Sequence, residues 1–309
     1  MHRFGAHVSI AGGVDRAVER GRELGCECIQ IFVKSPRQWR FQPLDDAEVS
    51  RFREAARRFD IRPLYGHASY LVNLATSDSG LAERSRLCLL EEWDRAGRLG
   101  LEGLVLHPGS GGDDRRARAL GRLAKALDWL HARRPDQGTR LLLETTAAAG
   151  GALGRVDELG RILDRMRHGD RIGMAIDTCH LFAAGLDLRT AEAVEASLAQ
   201  MDEAFGLARI ALVHANDSRG ELGSRRDRHE HIGRGRIGRA GFRALLAHPS
   251  LAHLPFVLET PKQDSDGRQM DRVNLAALRR LARRASGAAR STTPSRRLSR
   301  GPARSRPLR

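Results

Sequence analysis

Thiols, long apolar runs and acids are all scarce in this chain of 309 residues, and each shortage closes off a class of protein. The four cysteines, Cys26, Cys28, Cys88 and Cys179, form no CxxC pair and show no zinc-knuckle spacing. They read as reduced core residues, which excludes a disulfide framework. Cys179 lies between Asp177 and His180, but the intervening position should point elsewhere, and it too reads as packing. No apolar stretch approaches the roughly 20 residues of a membrane span, and the opening MHRFGAHVS lacks a signal-peptide core. The expectation is a cytoplasmic protein with no membrane partner. The glycine-rich stretches AAAGGALG (147–154) and IGRGRIG (232–238) lack the strand, GxGxxG and helix order of a dinucleotide site. No nucleotide cofactor is therefore expected, and both stretches read as loops at the mouth of the fold.

The deficit of acids leaves a formal charge of +15, which favours polyanionic partners such as DNA, RNA or phosphorylated substrates. Seven of those charges are Arg290, Arg296, Arg297, Arg300, Arg304, Arg306 and Arg309 in a C-terminal segment without acids. Residues 286–309 cannot bury an apolar face and are expected to be disordered. They read either as a solvated terminus or as an arm that adds non-specific nucleic-acid affinity through counterion release. The rest is 1–285. With 41% hydrophobic and 29% charged residues over the whole chain, it suits one globular domain, since α/β barrels use about 250 residues.

Eight apolar runs read as strands: 3–8, 28–33, 62–67, 104–107, 140–144, 172–177, 209–214 and 255–259. Helical spacing lies between them, as at 17–24, 47–59, 85–99 and 117–132. This βα alternation predicts a parallel sheet. Six segments end, or continue directly after their strand, on potential metal ligands: His67, His107, Glu144, Asp177 with His180, His214, and Glu259; Asp227 and His229 follow in the loop SRRDRH. In an open doubly wound sheet such groups would cluster at one switch point, whereas in a closed barrel of eight strands they come from strand C-termini all round. The expected fold is therefore a single (β/α)8 TIM barrel, of the α/β class, with its site on the C-terminal face. Any one of these residues alone reads as an ordinary core or surface group; their convergence does not. Oxygen and nitrogen donors without thiolate suit zinc or manganese in a hydrolytic site.

The chain resembles the endonuclease IV family of apurinic/apyrimidinic endonucleases. The resemblance is carried by GAHVS (5–9), RQW (37–39), HASYLVNL (67–74), HPGS (107–110), IDTCHLFAAGLDLRT (176–190), HANDS (214–218) and GSRRDRH (223–229). It implies a trinuclear zinc site, with manganese a candidate at one position. The expected reaction is hydrolysis of the phosphodiester 5′ to an abasic nucleotide in double-stranded DNA, leaving a 3′-hydroxyl and a 5′-deoxyribose phosphate; a 3′-phosphodiesterase activity is compatible with it. By motif, His67 and His107 would hold one zinc. Glu144 would bridge it to a second, completed by Asp177, His214 and Glu259, and His180, Asp227 and His229 would hold the third. Glu144 would also orient or deprotonate the attacking water. Arg37, Tyr70 and Leu71 match the residues that fill the gap in the DNA, where their plain alternative is a solvated arginine and two loop-packing residues. A monomer suffices for this work.

The match is incomplete at three places. Thr145 stands where the family usually has Asn, Ala68 where an acid usually follows the third-strand His, and Arg234 where an acid is frequent in the Gly-x-Gly loop. Two rival readings share much of the pattern: a xylose-isomerase-like metal-dependent sugar isomerase or epimerase, and a DNA-binding barrel whose catalysis is impaired by the change at Thr145.

Overall fold

A computed structural model describes residues 2–40, 42–112 and 114–291, the last six by backbone alone. Its strands are β1 (Arg3–His7), β2 (Cys28–Phe32), β3 (Leu64–His67), β4 (Gly103–Leu106), β5 (Arg140–Glu144), β6 (Gly173–Asp177), β7 (Ile210–His214), β8 (Asp217–Ser218), β9 (His229–Glu230) and β10 (Pro255–Leu258). All but β8 and β9 are parallel and close into one eight-stranded barrel, following the chain round until β10 pairs with β1. β8 and β9 form a separate antiparallel ribbon after β7. Outside the barrel lie α1 (Asp15–Leu24), α2 (Asp46–Arg58), α3 (Ser79–Leu99), α4 (Arg116–Arg133), α5 (Val156–Leu163), α6 (Thr178–Ala184), α7 (Ala191–Phe205), α8 (Gly238–Ala247) and α9 (Asp271–Ser291). This is the TIM barrel expected from the alternation.

Local chemistry explains the element ends. Asp45 and Asp78 start α2 and α3 by accepting the amides of Ala47 (3.1 Å) and Leu81 (2.9 Å), as N-caps do. The second cap sets α3 six residues ahead of the expected start at 85. Gly25 and Gly100 stop α1 and α3 with φ of 78° and 74°, where a side chain would be strained. α9 runs to Ser291, so residues 286–291 of the expected disordered segment carry helical backbone; Ala and Arg, three of its six residues, are strong helix formers. Residues 292–309 lie outside the described residues.

Strand residues alternate between two buried layers, because successive side chains point to opposite faces. One set, including Ile29, Ile31, Leu104, Leu106, Leu141, Leu143, Met174, Ile176, Phe256 and Leu258, joins the helices in the main core. The other forms a small cluster of its own: Cys28, Tyr65, Val105, Leu142, Ala175, Leu212 and Val257. These seven, one from each barrel strand except β1, fill the interior. β1 contributes Gly5, at which a Cβ would lie 1.8 Å from the Cys28 carbonyl oxygen. All four cysteines are free and buried. Among the described residues, no helix is long and apolar enough to cross a membrane.

His131 is an ionisable residue within the core. It lies on α4, is 2% exposed, has no hydrogen-bond partner at either ring nitrogen among the described residues, and packs edge-on to Trp93 at 5.1 Å. Burial, helped by Arg171, lowers its pKa from 6.5 to about 4. The unfolded chain thus binds this proton before the folded one does, and the neutral ring's stabilisation, about 3 kcal/mol, is complete above pH 6.5 and drains away as pH falls towards 4. We expect His131→Leu to flatten the loss of stability over that interval. Urea midpoints at pH 7 and 4.5 check this; an equal drop in wild type and variant would contradict it.

Candidate metal centre

Two residues beyond each member of the interior cluster, on the same inward face, stands a polar group. Cys28 is followed by Gln30, Tyr65 by His67, Val105 by His107, Leu142 by Glu144, Ala175 by Asp177, Leu212 by His214 and Val257 by Glu259, while Gly5 is followed by His7. The apolar interior is thereby capped by a polar ring at the C-terminal mouth, the face that the sequence reading assigned to the site. His107 and Glu259 are the first residues after β4 and β10 rather than the last of them.

Potential ligand atoms in this ring fall into groups, each spanning no more than 4.8 Å: His67, His107 and Glu144; Glu144, Asp177, His214 and Glu259; and His180, Asp227 and His229. Glu144 belongs to two of them. Its Oε2 faces His67 Nε2 (3.3 Å) and His107 Nε2 (3.1 Å), while its Oε1 faces His214 Nδ1 (2.9 Å). The third group is assembled from separate pieces. Asp177, the last residue of β6, caps α6 by accepting the His180 amide at 3.0 Å, and so sets that ring beside it. The β8–β9 ribbon brings in Asp227 and His229.

In four of the histidines one ring nitrogen is committed to an oxygen acceptor. His67 Nδ1 donates to the Ala68 carbonyl (2.7 Å), His180 Nδ1 to the Thr145 carbonyl (2.9 Å), His229 Nδ1 to the Glu259 carbonyl (3.1 Å) and His214 Nε2 to Gln30 Oε1 (2.8 Å). A carbonyl can only accept, so the second nitrogen of each ring is the one turned to the carboxylates. This is the outer-shell arrangement of metal-ligating histidine. In the third group, His180 Nε2 and His229 Nε2 approach Asp227 oxygens at 3.1 and 3.2 Å, yet both are buried without an aligned hydrogen bond. Donors that converge without pointing at one another fit a cation between them. Cys179 Sγ also comes within 4.8 Å of ligand atoms of Asp177 and His229, but burial pushes its thiol up to about 12, which keeps it a neutral packing group.

The sequence reading passed over several functional neighbours. Gln30 Nε2 donates to Glu259 Oε1 (2.6 Å) and His7 Nδ1 lies 3.0 Å from the same oxygen. Asn216 donates to Asp177 Oδ2 (2.6 Å) and accepts the Glu259 amide (2.9 Å). Asp217 accepts the amides of Ser218, Gly233, Gly235, Ile237 and Gly238, at 2.8 to 3.3 Å, and so ties the 232–238 loop to the ribbon. The parity of Gln30 within CIQIFV was the available signal for it. Thr145 differs from the expected Asn but accepts the Asp177 amide at 2.9 Å. A cleft of about 290 Å³ opens on the site, lined by Tyr70, His107, Ala147, Ala148, His180 and Asp227 among others. Tyr70 is 64% exposed while packing edge-on to Phe32 at 5.3 Å; Leu71 is half-buried and Arg37 exposed. Arg234 lies exposed on its loop.

Residues 18–283 match a family described as the xylose isomerase-like TIM barrel. A probable endonuclease 4 of Chloroflexus aggregans is 43% identical over 284 residues, covering 92% of this chain and 99% of that protein. The crystal structure of endonuclease IV from Thermus thermophilus superposes with a TM-score of 0.78 at 39% identity, covering 91% of this chain and 99% of the other. A D-tagatose 3-epimerase-like protein shares the fold, with a TM-score of 0.70 at 19% identity, covering 93% and 99% of the two chains.

Without metal the site carries protons. Burial opposes charge on His214, but Glu259 and Glu144 outweigh it and raise its pKa to about 9; Asp177 and Asp227 do the same for His229 against its burial. In the metal-free protein these charges stabilise the fold fully below pH 6.5, and that contribution is lost as pH rises through 9. Since coordination requires neutral imidazole, divalent metal binding at pH 7 should expel at least about one proton per chain and strengthen as pH rises. Calorimetry in buffers of different ionisation enthalpy measures this directly; a binding enthalpy independent of the buffer would refute it.

Proposed function

The chain belongs to the endonuclease IV family, within the xylose isomerase-like TIM barrels, and from that membership we propose that it incises double-stranded DNA 5′ to an abasic nucleotide with three zinc ions, leaving a 3′-hydroxyl and a 5′-deoxyribose phosphate. It is a nuclease by family. The observation that carries the finer reading is the division of nine donor residues into three groups, two of which share Glu144, while Asp177 of the second lies 3.5 Å from His229 of the third. One cation takes four to six ligands, so the set is too large for one ion and suits three. His67, His107 and Glu144 would hold the first, Glu144, Asp177, His214 and Glu259 the second, and His180, Asp227 and His229 the third. The last, with the Asp227 side chain half exposed, is the one we assign to exchange with manganese.

Bound zinc supplies Lewis acidity towards the phosphoryl oxygens and acidifies water towards neutrality. The chain's own groups do the rest. Burial alone would push Glu144 up, but His214, His107 and His180 hold it well below the usual carboxylate range. We assign this ionised group, braced on both oxygens, to orient the attacking water, its proton loosened by the bound zinc. Extruding an abasic sugar costs a few kcal/mol, least where the base is already missing. Stacking a base on an aromatic ring returns about 1–3 kcal/mol. Tyr70, exposed and backed by Phe32, suits that exchange, with Leu71 and Arg37 filling the gap in the duplex. The two terms are of one size, so insertion would be favourable at a lesion and unfavourable at an intact pair. One chain offers all these groups, which supports action as a monomer.

The sugar-epimerase reading keeps the barrel but leaves the His180, Asp227 and His229 group without a task, and the likeness to such enzymes is one of fold alone. Cleavage of a duplex carrying one synthetic abasic site, with intact duplex as control and zinc analysis on the same preparation, tests the proposal. Incision 5′ to the lesion with about three zincs per chain is the expected result. Tight binding of fewer ions without incision would reject it. Glu144→Gln should lower kcat by about 10²–10⁴-fold and leave binding to the abasic duplex in place; full turnover in this variant would remove Glu144 from the reaction.

A further inference from the structure

Lys34 and Glu92 form an ion pair (3.3 Å) whose side chains are 2% and 0% exposed. Such a pair seldom adds stability over well-packed apolar residues, so its role is sought in what it joins. Lys34, just past β2, donates to the Gln38 carbonyl at 2.5 Å. Glu92, on α3, accepts the Ser69 amide at 3.0 Å. The Ser69 hydroxyl donates to the Pro36 carbonyl (2.7 Å) and accepts the Leu71 amide (3.2 Å). One helical turn along, Arg95 donates to the carbonyls of Val33 (2.8 Å) and Gln42 (2.8 Å).

The pattern is specific. The two carbonyls that flank Arg37 are held by Ser69 and Lys34, both partners of Glu92. The residue before Tyr70 is held by Glu92 itself, and Leu71 hangs from the hydroxyl of that same residue. Two loops from adjacent strands are thus fixed to one another by the Ser69 hydroxyl, and both are fixed to α3 through the buried Glu92 carboxylate.

We propose that Glu92, with Lys34, is a positioning residue for lesion recognition: it sets the spacing between Arg37 on one loop and Tyr70 with Leu71 on the other. The inference rests on the nuclease reading above. A group inserted into a duplex gap must be placed to within an ångström, and misplacement on that scale costs up to about a hundredfold. The cluster contributes nothing to hydrolysis itself, so its loss should fall on abasic-duplex binding and spare a substrate that has no duplex.

The test uses the full-length, zinc-loaded protein in three forms: wild type, Glu92→Gln, and the double variant Lys34→Met with Glu92→Leu, which exchanges the ion pair for apolar groups of similar size. Each is assayed on a duplex with one abasic site and on bis(p-nitrophenyl) phosphate, a small diester, alongside the melting temperature and zinc content. The expected result is an increase of about tenfold or more in KM for the abasic duplex in both variants, with kcat for the small diester and zinc content as in wild type. Unchanged KM for the abasic duplex in the folded double variant would overturn the proposal. Equal losses on both substrates with a lowered melting temperature would also overturn it, by showing a merely structural role. A wild type that cleaves the small diester but does not prefer abasic to intact duplex would reject the nuclease reading, and this inference with it.

Discussion

Three carboxylates share one space, those of Glu144 and Asp177 fully buried and that of Glu259 partly so. Two such charges 4 Å apart repel by about 4 kcal/mol at the effective dielectric of a partly wet protein, against a total stability of only about 5–15 kcal/mol for a typical domain. Apolar packing cannot cancel that term; only positive charge can. The ring of histidines answers it in the metal-free protein by taking up protons, and divalent cations answer it more completely. The rest of the molecule is arranged around this constraint. Its main core is apolar, its barrel has no open edge, and the polar ring is confined to a single layer at the strand ends.

Concentrating charge is useful only if each donor keeps its orientation, and here the orienting groups are largely backbone. Carbonyls of Ala68, Thr145 and Glu259 and the amide oxygen of Gln30 each fix one histidine. Since those carbonyls belong to strand ends or to the residues just beyond, the closed sheet that sets the register also sets the imidazole planes. The third group is built differently. Its His229 lies on a short two-stranded ribbon and Asp227 in the loop leading into it, beside the amides gathered by Asp217. The centre therefore joins a rigid part, carried by the barrel, to a part whose geometry depends on one carboxylate and a glycine-rich loop.

How much of this could be read from sequence follows from the same physics. His67, Glu144, Asp177 and His214 end apolar runs, and a polar residue there breaks a continuous apolar stretch, so both the strand and its candidate ligand are visible. Gln30 sits inside its run and looks like an ordinary interior polar residue; its parity within the run was the signal, and the closure of the barrel is what gives that parity a meaning by setting the residue beside Glu259. Lys34 and Glu92 are further from view, because they lie 58 positions apart on a strand end and a helix whose meeting is decided by tertiary packing. The extension of α9 to Ser291 was hidden for the opposite reason: a segment rich in arginine and serine resembles a solvated tail, while local helix propensity favours one more turn and a half.

The departures from the family pattern bear on whether the barrel remains an enzyme. At position 145 the hydroxyl accepts the Asp177 amide and the carbonyl accepts the His180 ring; at position 68 the carbonyl accepts the His67 ring. At both positions it is the peptide that aims the histidine, and a backbone carbonyl survives any substitution of its own side chain; at 145 the threonine hydroxyl still supplies an acceptor for the Asp177 amide. Ala68 and Thr145 thus occur where side-chain identity is least constrained by the ligands. A barrel drifting away from metal chemistry should lose ligands, or the groups that aim them, before it loses anything else, since buried carboxylates without a cationic partner are a standing cost to the fold. Here the nine potential ligand residues and the groups that aim four of the histidines are all present, which is the pattern expected of the metal site proposed above.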